Sequence, residues 1–178
     1  MRLVFIPFVI IFVADQNYAW ALILFILAGL SDGLDGLLAR TLKQQTLLGE
    51  YLDPIADKLL LSSMFLVLSF MERIPWRFTI LVFTRDTGIL VVSAVLYAAV
   101  GLRNFKPSIF GKLNTTAQIG TIFFVLFMEI HPAVWTFYAK RGFLWLTFLF
   151  TTLSGVHYIF LVGQRLKSTA HGGQQAKG

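Results

Sequence analysis

Residues 31–58 read SDGLDGLLARTLKQQTLLGEYLDPIADK and hold five of the chain's nine acidic residues: Asp32, Asp35, Glu50, Asp53 and Asp57. On a helix, Asp32, Asp35, Gly36, Ala39 and Arg40 fall at i, i+3, i+4, i+7 and i+8, a single stripe. Gly49, Asp53 and Asp57 fall at i, i+4 and i+8 and make a second stripe. The connection over residues 41–46 is short, so the two helices are expected to be antiparallel neighbours with their acidic stripes face to face. Apolar sequence flanks the segment on both sides. The whole chain of 178 residues is 57% hydrophobic and 13% charged, with mean hydropathy +0.74. A soluble domain carries about 25% charged residues. The composition therefore excludes an ordinary soluble globule, and it excludes disorder, which needs low hydrophobicity and high charge. An all-α integral membrane protein is the class that remains. In that class, carboxylates inside helices mark a functional site by default.

Working outward, six apolar stretches can be drawn: 3–13, 19–40, 47–71, 78–100, 113–130 and 142–162. They predict a bundle of six transmembrane helices. The first is short beside the roughly 20 residues of a full crossing, so it is a tilted or truncated helix, or the natural protein begins upstream of Met1. If the first stretch runs from inside to outside, nine basic residues fall on one side: Arg2, Arg40, Lys43, Arg103, Lys106, Lys112, Arg165, Lys167 and Lys177. Four fall on the other: Arg73, Arg77, Lys140 and Arg141. The positive-inside rule then puts both termini, and the acidic segment, on the cytoplasmic side. Trp20, Trp76, Trp135 and Tyr138 fit an aromatic belt at the outer side. Residues 1–167 form one membrane domain, and residues 168–178, small and polar, read as a disordered tail. With no cysteine, there is no disulfide, zinc–thiolate site or thiol nucleophile.

Four like charges in a low-dielectric pocket cannot all stay ionised unaided. Either several are protonated or cations neutralise them. Oxygen ligands without His or Cys favour hard ions such as Mg²⁺ or Mn²⁺. Asp32, Asp35, Asp53 and Asp57 suffice for two ions roughly 4 Å apart, the spacing of two-metal phosphoryl-transfer sites. Gly36 and Gly49 leave room for close approach of a ligand or backbone. Arg40 offers a permanent forked donor for phosphate oxygens.

The pattern of Asp32, Asp35, Gly36, Ala39, Arg40, Gly49, Asp53 and Asp57, eight fixed positions over 26 residues, resembles the full signature of the CDP-alcohol phosphatidyltransferase family. Residues 52–58, LDPIADK, resemble its phosphatidylglycerophosphate synthase branch, and residues 111–118, GKLNTTAQ, resemble a fifth-helix motif of related enzymes. The resemblance implies a six-helix homodimer in a bacterial inner or plasma membrane. It implies transfer of a phosphatidyl group from CDP-diacylglycerol to an alcohol, releasing CMP. On this chain it makes Asp32, Asp35 and Asp53 metal ligands, and Asp57 both a ligand and the general base. Asp32, Gly36, Ala39, Arg40 and Gly49 would line the CDP pocket.

The acceptor is read from fewer residues. Arg85 and Asp86 interrupt the fourth stretch and are expected to face the interior. Arg85 is a candidate for an acceptor phosphate, the alternative being an Arg85–Asp86 or inter-helix pair that holds the bundle. Lys112, with Arg103 and Lys106, makes a cytoplasmic basic rim and is the second candidate. The LDPIADK tract favours glycerol 3-phosphate as acceptor. Asn114, where phosphatidylglycerophosphate synthases usually carry lysine, favours phosphatidylglycerol and hence cardiolipin synthesis. An ion or proton transporter is the competing class, but its acids would be spread across membrane depth. The scatter of basic residues among loops argues against nucleic acid.

Overall fold

The structure, a computed structural model, describes the backbone of residues 2–41, 47–100 and 109–175, and the side chains of residues 4–31, 58–91, 109 and 111–158. Within them the chain is all-helical, with six helices and no strand. These are α1 (Arg2–Ala14), α2 (Tyr18–Thr41), α3 (Leu47–Phe70), α4 (Trp76–Val100), α5 (Ile109–Ile130) and α6 (Val134–Gln175).

Three tight turns gather at one end. α1 and α3 close in the same way. The amide of Asn17 donates to the carbonyl of Phe12 at 2.8 Å and that of Gln16 to Val13 at 3.0 Å; Arg73 donates to Leu68 at 2.8 Å and Glu72 to Ser69 at 3.1 Å. Each is a Schellman turn, and Gln16 and Glu72 take its left-handed position at φ 58° and 59°. In the third turn Thr136 Oγ1 accepts the amide of Ala133 at 3.0 Å. Arg73 ties the turns together. Its Nε donates to Tyr18 Oη at 3.3 Å, and its Nη1 lies 3.3 Å from Glu129 Oε2.

That knot fixes direction. The start of α2 meets the end of α3 through Tyr18 and Arg73, so the two helices run antiparallel as expected, but among the described residues they do not pack directly on each other as the expected close neighbours. α1 and α5 each pack against both of them, α4 packs on α3, and α6 packs on α4 and α5. The apolar core follows helical spacing: Ala21, Phe25 and Ala28 on α2; Leu61, Met64, Phe65 and Leu68 on α3; Ile122, Val125 and Leu126 on α5.

A second seam, between α5 and α6, is polar and buried. Asn114, Gln118 and Thr121 on α5 recur at i, i+4 and i+7, as do Thr147, Thr151 and Ser154 on α6. Thr151 Oγ1 donates to Asn114 Oδ1 at 2.7 Å, and the hydroxyls of Thr121 and Thr147 are 2.8 Å apart. Where apolar contact alone discriminates little between helices, such pairs set which faces meet. Thr151→Val strands a buried amide oxygen and is expected to cost about 1–3 kcal/mol, read as a lower unfolding midpoint in detergent.

The outer surface is strongly apolar. Trp20, Ile23, Leu27 and Leu30 on α2, and Trp145, Leu149 and Val156 on α6, are all exposed. Among the described residues one segment, Gly111–Ile130, is long and apolar enough by length and composition to cross a membrane; Val4–Ala14, Tyr18–Ser31 and Lys58–Phe70 are apolar but shorter. α6 differs most from its expected bounds of 142–162. Lys140 and Arg141 break the apolar run but not the helix, which starts at Val134, and it continues past Lys167 to Gln175. Extending a formed helix avoids the nucleation cost, so polar residues can carry it on.

Candidate active site

The eight motif positions divide between the far halves of α2 and α3. Asp32, Asp35, Gly36, Ala39 and Arg40 lie toward the end of α2, and Gly49, Asp53 and Asp57 toward the start of α3. Asp32 follows Tyr18 by 14 residues and Asp57 precedes Phe70 by 13. At a rise of 1.5 Å per residue both backbone positions stand about 20 Å from the turn end. The two acidic segments therefore share one end of the bundle and one height. The side chains of these eight residues lie outside the described ones. Among the described residues no group of three or more His, Cys, Asp or Glu gathers. The donor set on α2 and α3 is purely carboxylate, which fits hard divalent ions.

Lys58, the residue after Asp57, begins a chain of polar contacts. Its Nζ lies 3.0 Å from Asp86 Oδ1 on α4. The same oxygen accepts from Arg85 Nη1 at 2.5 Å, and Arg85 Nη2 donates to Ser154 Oγ on α6 at 2.5 Å. One turn along α6, Thr151 bonds Asn114 of α5. The contacts thus link the four helices α3, α4, α6 and α5, starting one residue after Asp57 in the chain. Three buried donors, two in this chain of contacts and one a turn further along α5, have no hydrogen-bond partner among the described residues: Arg85 Nε, Asn114 Nδ2 and Gln118 Nε2. Unpaired buried donors are costly, and they suit an oxygen-rich ligand.

The two acceptor candidates are differently placed. Arg85 is largely buried and two of its three nitrogens are engaged, which is the bundle-holding pair weighed in the sequence, extended to Lys58 and Ser154. Lys112 is exposed on the first turn of α5. They share no hydrogen bond or ion pair among the described residues. Sequence reading missed Asp86 as the partner of Lys58, and it missed Gln118 as a second buried amide beside Asn114. The i, i+4, i+7 recurrence of polar residues on α5 and α6 was the available signal.

An apolar pocket of about 470 Å³ opens between α2, α3, α5 and α6. Gly29 and Leu30 of α2 line it just before Asp32 in the chain, Leu60 and Leu61 of α3 just after Asp57, and Gly120 of α5 and Phe143 of α6 are among its other walls. Gly120 sits close against the Phe143 ring, and a Cβ there would require that ring to shift.

Comparison with known proteins places the sequence in a family. The sequence model of the CDP-alcohol phosphatidyltransferase family matches residues 1–153. A probable phosphatidylglycerophosphate synthase of Mycobacterium tuberculosis is 36% identical over 150 residues, covering 82% of this chain and 66% of that protein. A CDP-diacylglycerol--glycerol-3-phosphate 3-phosphatidyltransferase of Salmonella choleraesuis is 31% identical over 165 residues, covering 89% and 88%. The rat cardiolipin synthase (CMP-forming) is 28% identical over 171 residues, covering 86% and 55%. The chain thus spans about two thirds of the mycobacterial relative and just over half of the rat one. With a family match that runs through the acidic segments of both helices and on into α6, the chain belongs to the CDP-alcohol phosphatidyltransferase family.

Proposed function

We propose that residues 1–167 form the catalytic domain of a phospholipid-synthesising enzyme. It transfers the phosphatidyl group of CDP-diacylglycerol to glycerol 3-phosphate and releases CMP. The observation that carries this reading is the eight-position motif, split between two antiparallel helices at one end and one height of the bundle. The apolar surface supports a six-span bundle embedded in a bacterial inner or plasma membrane, with a short first helix. The nine-to-four distribution of basic residues supports a cytoplasmic active site and two cytoplasmic termini. A second copy of the chain completes a homodimer, and residues 168–178 lie outside the domain.

In the mechanism, Asp32, Asp35, Asp53 and Asp57 would hold two Mg²⁺ or Mn²⁺ ions. Such ions, when bound, neutralise charge on a diphosphate. Arg40 forks onto phosphate oxygens, and Gly36, Ala39 and Gly49 leave the space the CDP moiety occupies beside Asp32. The pocket at Gly29, Leu60 and Gly120 is apolar and adjoins both acidic segments, which suits an acyl chain of the donor. Asp57 takes the proton of the acceptor hydroxyl. The freed oxygen forms a bond to the phosphorus that carries diacylglycerol, the phosphoanhydride bond breaks, and CMP leaves with its electron pair. Arg85 and Lys112 bind the acceptor phosphate, Arg85 through its unpaired Nε.

A second acceptor is favoured by Asn114. It is fully buried, its oxygen is held by Thr151, and it offers an amide where a charge would suit a phosphomonoester better. That combination fits the phosphodiester of phosphatidylglycerol, with cardiolipin as product. The test offers radiolabelled CDP-diacylglycerol with glycerol 3-phosphate, phosphatidylglycerol, inositol phosphate or serine. Phosphatidylglycerophosphate is the expected lipid product, cardiolipin would install the second reading, and no transfer to any acceptor would refute both. EDTA is expected to abolish turnover, and added Mg²⁺ or Mn²⁺ to restore it. CMP release that persists in EDTA would contradict the metal role.

A further inference from the structure

The turn end of the bundle, far from the aspartates, holds a pocket of about 360 Å³ that the proposed reaction does not use. Arg73, Arg77, Lys140 and Arg141 line it against a single carboxylate, Glu72. Arg73 is already committed to Glu129 and Tyr18. Among the described residues, Arg77, Lys140 and Arg141 have no ion-pair partner, so three cations converge with one carboxylate among them.

The cations differ in setting. Arg77 lies over the Phe78 ring, 5.2 Å from its centroid, and Arg141 is exposed. Lys140 is half-buried. Burial pushes its ammonium below the usual lysine range and Arg73 adds to that, while Glu129 opposes it. An anion in the pocket would relieve that cost. The remaining wall is apolar, with Trp145 packed edge-on against Phe78 at 6.2 Å. Trp76, Trp135 and Tyr138 are exposed at the same end, where amphipathic rings sit at headgroup level.

We propose that this pocket binds the phosphodiester headgroup of an anionic phospholipid, as a second lipid site remote from the aspartate end. Phosphate charge is the shared chemistry of a lipid headgroup and of free phosphate. The apolar wall and the aromatic surround select the lipid. That selection rests on the membrane reading of the previous subsection.

The test is binding of dihexanoyl-phosphatidylglycerol, dihexanoyl-phosphatidylcholine and inorganic phosphate, with both lipids below their micelle concentrations. The wild-type chain is expected to prefer the anionic lipid by about tenfold, and Arg77→Gln/Lys140→Gln/Arg141→Gln to lose that preference. Lys140→Arg is expected to keep it. CMP release by the triple variant reports that the fold survives. Should the triple variant misfold, the exposed single variants Arg77→Gln and Arg141→Gln must each weaken the preference by about threefold. A preference unchanged in the variants would overturn the site. Displacement of the anionic lipid by inorganic phosphate at equal concentration would overturn the lipid assignment. A chain that stays monodisperse without detergent would refute the membrane reading alone, since the soluble lipid still measures the pocket.

Discussion

Asp57→Asn is expected to lower CMP release from CDP-diacylglycerol by about 10²- to 10⁴-fold, the usual contribution of a positioned general base. The amide has nearly the shape of the carboxylate but cannot take the acceptor's proton, and it removes one charge from the acidic set. The fold should survive. Position 57 is followed at once by Lys58, whose ammonium is fixed to Asp86, and then by Leu60, Leu61, Met64 and Phe65 in the core. The start of the buried half of α3 is therefore held independently of residue 57. The measurement is CMP release beside the unfolding midpoint in detergent. Turnover falls while the midpoint holds; near-normal turnover would remove Asp57 from the role of base.

Asp86→Asn is expected to produce the largest loss of stability, about 3 kcal/mol. Asp86 is 6% exposed and is the shared counter-charge of Lys58 and Arg85. Neutralising it leaves both cations facing an amide. Lys58 can recover water, since its side chain is 29% exposed, but that of Arg85 is only 9% exposed. The penalty thus falls chiefly on Arg85, whose remaining bond is to Ser154. Removing charge from both sides separates this account from simple loss of packing. Lys58→Met combined with Asp86→Leu should cost less than the two single changes added together. Additive costs would show that the pair does not couple α3 to α4.

The sequence carried the acidic motif and the helices around it, because both rest on spacing. The stripe from Asp32 to Arg40 and the stripe from Gly49 to Asp57 need only a helical period to be seen. The apolar runs gave α1 to α5 to within a few residues. Composition served less well at α6. Lys140 and Arg141 read as a boundary because charge interrupts hydropathy, yet charge does not end a helix, and the turn that does start α6 is closed locally by Thr136. The partner of Lys58 was not legible for a different reason. Asp86 lies 28 residues further on, and no local rule links the two; only the packing of α4 on α3 brings them together. The polar seam of Asn114, Gln118, Thr147 and Thr151 was legible as period, but its pairing across two helices was not.

The most direct measurement counts Mn²⁺ bound to the purified chain by electron paramagnetic resonance. The wild type should bind two ions per chain, magnetically coupled, and Asp32→Asn combined with Asp53→Asn should bind none tightly. An uncoupled signal, or equal binding by the wild type and the double variant, would mean that α2 and α3 do not share a metal centre.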